Sequence, residues 1–410
     1  MKRLALVGSS CLLLAIGLLS GSCLRERDSS DTAPSTRAWY RGNTHTHTLW
    51  SDGNAAPELV AKYYVDAGYD FLVYTDHNVL AQGERWFPID EGRLTEERVT
   101  ELVETFGAEA VELRDEPSRG MRLQTFAELQ QRFDRAGQFL LVPGEEVTDS
   151  FEKKPVHINA INIERVVQPQ GGGSVAETIA NDIAAIVAEG ERAGRPVLAH
   201  INHPNFGWGV TVAEVAAMPQ ERFFEVYNGH SAVRNQGDEE HASMEQLWDQ
   251  ALTLRLEELD LGLLYGVATD DGHDYFDFRV GRPNPGRGWV MVHADELHPD
   301  SLVQAMRDGD FYASTGVNLE GIDASEARLS VDIAAEEGVQ YVTRFIGTRR
   351  SATSERVVGE VLFETSANPA VYEYRGDELY VRATIVSDRD HPNPYAAGDK
   401  ETAWVQPVRP

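Results

Sequence analysis

GNTHTHTLWSDG (Gly42–Gly53) and YDFLVYTDHN (Tyr69–Asn78), joined by one amphipathic run, decide how the rest of the chain is read. His45 and His47 stand two residues apart, so on an extended segment their side chains point the same way. Asp52 follows five residues after His47, and His77 closes a short apolar run, Phe71–Tyr74. Histidine and aspartate are ligands for transition metals. Fragments of the same kind recur further on, each at the end of an apolar run, so the stretch reads as the first part of a metal site completed by distant residues. A polar loop with incidental histidines does not account for that recurrence.

Between the two fragments, Pro57 opens a helix with Leu59, Val60, Tyr63 and Tyr64 on one face, and Gly68 is its natural stop. The continuous apolar run Phe71–Tyr74 fits a buried parallel strand. Asp90 to Glu116 is strongly acidic with helical spacing, as in a solvated helical insertion, and Thr125 to Ala136 reads as another helix. Phe139–Val142 is the next strand and runs into Pro143-Gly144-Glu145-Glu146. Val156 to Ile163 is strand-like, with His157 at its start. Ser174 and Glu177 have the spacing of a capping box, ahead of a helix buried through Val175, Ile179, Ile183, Ile186 and Val187. Pro196–Ala199 leads to His200 and His203, and Phe223–Tyr227 to Asn228, Gly229 and His230. Leu247, Ala251 and Leu254 suggest a helix. Leu264–Ala268 ends at Asp270, Asp271 and His273, and Trp289–Val292 is a further strand candidate.

Strands alternating with helices imply a parallel α/β sheet, and about seven or eight such units imply a closed barrel. The candidate ligands fall mostly just after strands, and the C-terminal strand ends form the active-site face of such barrels. From about Asn318 the pattern changes. Leu329, Val331 and Ile333 alternate, as do Leu379, Val381, Ala383 and Ile385, which predicts a small β-rich C-terminal domain.

The chain has 410 residues, enough for about two to three domains, and a formal net charge of -29. That excess argues against passive binding of nucleic acid or an anionic membrane, which want basic patches. It leaves room for an anionic substrate, because clustered metal ions reverse the local field. At the N-terminus, Lys2 and Arg3 precede an apolar run, Leu4–Leu19, that is too short to span a bilayer. Small residues Ser20–Ser22 then precede Cys23. The pattern predicts an export signal of lipoprotein type over residues 1–23, with Cys23 as the candidate lipidated residue, although Ser20 stands where that pattern prefers leucine. The expected location is the periplasm or the cell surface. Residues 24–38 read as a polar tether. The only other cysteine, Cys11, lies inside the apolar run, so the processed chain has no pair for a disulfide.

The full constellation is HTH (His45, His47), SDG (Asp52), TDHN (His77), PGEE (Glu146), VHINA (His157), INHPN (His203) and TDDGH (Asp271, His273). In this order the motifs resemble the polymerase-and-histidinol-phosphatase (PHP) family of metal-dependent hydrolases, over roughly Tyr40 to Val317. WVMVHADEL and GDFYASTGV resemble its CehA/McbA, carbaryl-hydrolase-like branch. The resemblance implies a distorted seven-stranded PHP-type (β/α) barrel over residues 39–317, followed by the β-rich region 318–410. It also implies up to three divalent transition metals; histidine and carboxylate ligands without thiolate suit zinc, manganese or iron. His45, His47 and Asp271 would hold one, with Glu146 bridging to a second completed by His157 and His203. Asp52, His77 and His273 would hold the third. The implied activity is a phosphoesterase whose nucleophile is a metal-bridging hydroxide. The same site could instead cleave a carboxyl ester, amide or carbamate. The expected partner is a small anionic ester; the acidic composition argues against nucleic acid and against membrane contact beyond the candidate anchor at Cys23.

Several neighbours stay open at this stage. Glu145 competes with Glu146, and His200 with His203; the family's spacing and its His-Pro phrase favour Glu146 and His203. Asp76 and Asp270 each adjoin a ligand, as groups that orient imidazoles or as catalytic acids. His230 is either a catalytic proton donor or a loop histidine. Trp208 and Arg287 fit a pocket wall as well as core packing. His241, His293, His298 and His391 belong to no motif. A non-enzymatic surface module is the third functional reading. Against it, structural metal sites are closed sets of few ligands, and nine convergent ligands exceed that need.

Overall fold

The computed structural model describes residues 37–90, 92–350 and 357–410. The signal segment, Cys23 and almost all of the tether lie outside the described residues. Among those described, no helix is long and apolar enough to cross a membrane.

The architecture is mixed α/β around one thirteen-stranded sheet. Its first nine strands in chain order are β1 (Ala38–Asn43), β2 (Phe71–Tyr74), β3 (Leu140–Phe151), β4 (Lys154–Ile161), β5 (Leu198–Ile201), β6 (Phe223–Asn228), β7 (Tyr265–Thr269), β8 (Trp289–Ala294) and β9 (Phe311–Ser314). They lie side by side in the order β7-β6-β5-β4-β3-β2-β1-β8-β9. Beyond β9 the sheet continues through Lys400–Val408, Glu378–Asp390, Tyr341–Arg349 and Glu360–Thr365.

The expected closed, parallel barrel needs correcting in two respects. First, β4 runs antiparallel to both β3 and β5. A two-residue turn at Glu152 and Lys153, both at positive φ, joins β3 and β4, the geometry that tight hairpins favour. This reversal explains why His157 lies at the start of its strand: the start of β4 and the far half of β3 share one rim. Second, no strand ladder closes the sheet among the described residues. β8 pairs antiparallel along Ala38–Gly42 and so takes the edge of β1 that β7 would need. β7 meets β1 only beyond the strand ends. There Asp271 N donates to His45 O at 3.1 Å, and His47 N donates to Gly272 O at 3.1 Å. Lower down, the side-chain amide of Gln406 both donates to and accepts from the backbone of Gly266 in β7.

Helices Pro57–Asp66, Phe126–Phe133, Val175–Ala193 and Met244–Glu257 appear where the apolar spacing predicts them. The capping box before Val175 is half made. Ser174 accepts from Glu177 N, but the Glu177 carboxylate accepts from Gly173 N instead of closing the box. The acidic stretch holds the α-helix Glu96–Phe106 and a 3-10 turn, Ala108–Ala110, beside a small sheet of Trp86–Pro88, Gly120–Arg122 and Leu113–Arg114. After β9 the chain is β-rich. Leu329, Val331 and Ile333 face Phe345, Val381, Ala383 and Ile385 in one buried layer. Arg382, fully buried there, pairs with Asp249 at 2.7 Å and so ties these strands to the helix Met244–Glu257.

Candidate metal centre

His45 and His47 extend β1 past its last ladder pair, which frees their side chains while the backbone stays tied. Thr46 N donates to Thr75 Oγ1 at 2.8 Å, and Asn43 Nδ2 donates to His45 O at 2.8 Å. The two imidazoles converge, Nε2 to Nε2, at 3.1 Å. Glu146, from the middle of β3, points its carboxylate into the same space. It lies 3.5 Å from His45 Nε2, 3.5 Å from His47 Nε2, 3.0 Å from His157 Nδ1, 3.4 Å from His203 Nε2 and 2.7 Å from His77 Nδ1. Asp271 follows β7 and stands 3.3 Å from His45 Nε2 and 3.2 Å from His47 Nε2. Asp52 approaches His77 Nε2 at 3.4 Å and His273 Nε2 at 3.2 Å. All nine residues named from the sequence therefore meet in one place.

The donor set fits divalent cations. Four groupings of three or four donor atoms lie mutually within 4.8 Å: Asp52, His77 and His273 with His47; His45, His203 and Asp271; His45, His47 and Glu146; and Glu146, His157 and His203. His47 takes part in two of them, its Nε2 toward Glu146 and Asp271 and its Nδ1 toward Asp52 at 3.5 Å. Donors about 2.0–2.2 Å from a tetrahedral zinc stand about 3.3–3.6 Å from each other, the spacing seen here. Glu146 Oε2, His157 Nδ1 and Asp271 Oδ1 are buried and make no hydrogen bond. A buried polar atom without a partner is costly, and cations held in these groupings would satisfy all three.

The local field points the same way. Burial pushes Glu146 up, but His157, His77 and His45 outweigh it and hold the carboxyl well below its usual range. Burial pulls His77 down, yet Glu146 and Asp52 raise it to about 11. His47 is held at about 3 by burial and by His273. The carboxylates thus draw positive charge into a site too crowded for every imidazole to take a proton. His203 and Asp271 both sit at positive φ, +25° and +49°, a backbone state uncommon outside glycine and concentrated at functional sites.

Around the nine lies a buried polar frame. Glu225, in the middle of β6, accepts from His45 Nδ1 at 2.6 Å, Thr269 Oγ1 at 2.8 Å, His203 N at 2.7 Å and Asn228 Nδ2 at 2.8 Å. This fixes the His45 proton on Nδ1 and leaves Nε2 free to bind a cation. Asn202 Nδ2 donates to Glu146 Oε1 at 2.8 Å, and Asn228 Nδ2 lies 3.2 Å from Asp271 Oδ2. The sequence reading missed these three. A glutamate inside the apolar strand Phe223–Tyr227 was the available signal, since a lone buried charge needs partners.

The three candidate catalytic groups divide. Asp76 accepts from Thr48 N at 2.8 Å, Thr48 Oγ1 at 2.9 Å and Ser51 Oγ at 2.6 Å. Asp270 accepts from Gly286 N and Gly288 N at 2.8 Å, from Arg287 N, and from Tyr64 OH at 2.9 Å. Neither carboxylate hydrogen-bonds an imidazole; each holds a loop that carries or adjoins ligands. His230 lies with its ring 5.1 Å from that of His273, and its Nδ1 accepts from Ala232 N at 3.1 Å. That bond leaves the ring proton on Nε2.

The competing residues turn away from the centre. Glu145 Oε1 accepts from Val167 N, and burial pushes this carboxyl up to about 8. His200 is fully buried with its ring 6.5 Å from that of His45, and neither ring nitrogen has a hydrogen bond. His241 stacks on Trp208 at 3.9 Å, and His293 on Trp39 at 4.7 Å. His298 caps the helix Pro299–Asp308, and His391 Nδ1 accepts from Asn393 N at 3.0 Å. Arg287 is fully buried and donates to main-chain carbonyls, among them Gly229 O at 2.8 Å.

No family profile and no curated protein matches this chain. Among solved structures it is similar to a two-domain protein from Bacteroides vulgatus ATCC 8482 described as containing a PHP-like metal-dependent phosphoesterase. The identity is 14%, over 91% of this chain and 96% of that one, with a TM-score of 0.40. It is also similar to a protein from Bifidobacterium adolescentis ATCC 15703 described as a metal-dependent phosphoesterase, at 14% identity over 65% of this chain and 94% of that one, with a TM-score of 0.33.

Proposed function

We propose that this chain is a metal-dependent hydrolase of the PHP type, and within that class a phosphoesterase acting on a small anionic ester. The observation that carries the reading is the convergence of nine donor side chains, with buried atoms of Glu146, His157 and Asp271 left without hydrogen bonds. His45, His47 and Asp271 would hold one ion, with Glu146 shared toward a second held by His157 and His203. Asp52, His77 and His273 would hold a third. Bound there, divalent metals would supply Lewis-acid polarisation of the ester and acidification of a water near neutral pH.

Charge favours the phosphoester. The four carboxylates Asp52, Glu146, Glu225 and Asp271 carry about four negative charges against about six from three divalent ions. Three divalent ions would thus offset the carboxylates that face them, inside a chain of net charge -29. The chain's own residues add direction. Glu225 holds His45 in one tautomer, Asn202 aims Glu146, and Asp76 and Asp270 fix the loops on either side. His230 presents its Nε2 proton beside His273, placed to protonate the leaving oxygen. We further propose export, with lipid attachment at Cys23, and a division between a catalytic part to residue 317 and a β-rich remainder.

The test is hydrolysis by metal-loaded protein of an aryl phosphate, an aryl ester and an aryl carbamate that share one chromophore. Phosphate hydrolysis abolished by chelator and by His45→Ala is the expected result. Turnover of the ester or carbamate alone would move the assignment to the carbaryl-hydrolase-like chemistry. No turnover of any of them would sink the hydrolase reading.

A further inference from the structure

Among the described residues, the segment between Leu80 and Gln124 supplies no donor to the metal centre, yet it is built around the loop that carries Asp52. Leu49 and Trp50 are buried among Phe87, Leu94, Val99 and Leu102 of that segment. Trp50 Nε1 donates to Gln124 O at 2.9 Å. Three arginines of the segment then take the loop's carbonyls in turn. Arg85 donates to Trp50 O; Arg93 donates to Ser51 O at 2.6 Å and Gly53 O at 3.2 Å; Arg98 donates to Asn54 O at 3.1 Å. None of the three pairs with a carboxylate among the described residues; their guanidinium carbons lie over the rings of Trp50, Phe87 and Phe276.

The clasp reaches the other outer donors as well. Asn54 N donates to His273 O at 2.9 Å, and Asn54 Nδ2 donates to Asp274 Oδ1 at 2.8 Å. His77 lies three residues before Leu80. Gly53 makes the loop turn tightly, since a Cβ there would lie 2.5 Å from His47 O. By contrast, His45, Glu146, His157, His203 and Asp271 sit on strands or directly after them, without contact to these arginines. A strand end inherits its direction from the ladder behind it. A loop tip has no ladder, and here the arginines take that part.

We propose that the Leu80–Gln124 insertion is a positioning element for the outer metal site alone, with Arg85, Arg93 and Arg98 as positioning residues that hold Asp52 and His273 toward His77. The proposal rests on the metal-centre reading above. Occupancy of the outer site then depends on the insertion, and occupancy of the inner site does not.

Metal content per chain, measured on purified full-length protein, tests this without reference to turnover. The Arg93→Ala/Arg98→Ala double variant is expected to lose about one ion per chain relative to wild type while the remaining ions stay bound, with the circular dichroism spectrum unchanged. Adding the same pair to Asp52→Asn is expected to remove no further ion, because that variant has already lost the outer one. Unchanged metal content in the double variant, or loss of all ions together, overturns the proposal. A wild-type protein that binds no metal at all overturns the metal-centre reading itself, which is a separate result. Should the double variant not fold, Arg98→Lys is expected to speed chelator extraction of one ion only, and an unchanged extraction profile overturns the proposal equally.

Discussion

Asp271 and Asp52 are both carboxylates set among histidines, but they belong to different kinds of structure. Asp271 is 4% exposed, follows β7, and is pinned through its own backbone to His45 and through its side chain to Asn228. The Asp52 side chain is 55% exposed on a loop tip, 3.2 Å from His273 Nε2 and 3.4 Å from His77 Nε2. The difference separates two halves of the centre. The inner half sits at strand ends and is mostly buried; the outer half joins His77, just after β2, to two loop donors and is more exposed. A buried ligand set with satisfied neighbours gives affinity and little exchange, whereas an exposed loop ligand gives access and exchange. An entering ester would meet Asp52, His77 and His273 before the inner pair.

Breaking the inner half should have the largest effect. Glu146 is the one side chain within 3.5 Å of His45, His47, His77, His157 and His203. Glu146→Gln keeps the shape and removes the charge, so it should strip most of the metal and lower kcat by about a thousandfold or more. Metal analysis together with initial rates checks this. A variant that retains full metal would show that Glu146 is not shared between ions. Next in size is Asp52→Asn, which should release one ion and leave the inner ions bound, with kcat/KM down by about ten- to a hundredfold. Loss of every ion from that variant would dissolve the division into halves.

A third change tests whether the inner half owes its rigidity to its surroundings. Glu225 is not placed as a ligand, yet both of its oxygens accept hydrogen bonds at the centre. Glu225→Gln should weaken inner metal binding by about ten- to a hundredfold, the usual cost of disturbing a group that orients a ligand imidazole. Competition with a chromogenic chelator reads it directly. The outer ion should respond much less, because no outer donor touches Glu225.

The ease of reading in the sequence does not follow that division, since donors of both halves stand in motifs. Ligands at strand ends were legible because a short apolar run predicts a strand, and the residue after it is placed on the rim whatever the rest of the chain does. His77, His203 and Asp271 all follow such runs. The antiparallel reversal of β4 was not legible. Lys154–Ile161 carries the same apolar pattern in either direction, and only the turn at Glu152 and Lys153, which has no glycine or asparagine to announce it, sets the sense. The open seam was equally hidden, since it arises from β8 occupying the β1 edge, a competition between segments about 250 residues apart. Glu225, Asn202 and Asn228 act only through partners that the fold brings together. The arginine clasp was concealed by charge: Arg93 and Arg98 fall in the acidic stretch Asp90–Glu116, whose helical spacing reads as a solvated face.

The smallest effect should come from a group that joins the two halves. Ser51 Oγ donates to Asp76 Oδ1 at 2.6 Å and lies 3.3 Å from His47 Nδ1. It thus links the buried carboxylate that holds the loop, the imidazole that faces both groupings and the tip that carries Asp52. Ser51→Ala removes one hydrogen bond to a buried charge. Asp76 keeps Thr48 N and Thr48 Oγ1 as donors, so the carboxylate is not stranded, and the cost should be about 1–2 kcal/mol of stability, measurable by denaturant titration of the metal-free protein. In the loaded protein the tip should become more mobile while His45, Glu146 and Asp271 stay in place. The outer ion should then be extracted a few times faster and the inner ions at an unchanged rate. Equal acceleration of both would mean that His47, and not the loop, transmits the change, and that the two halves titrate their metals as one unit.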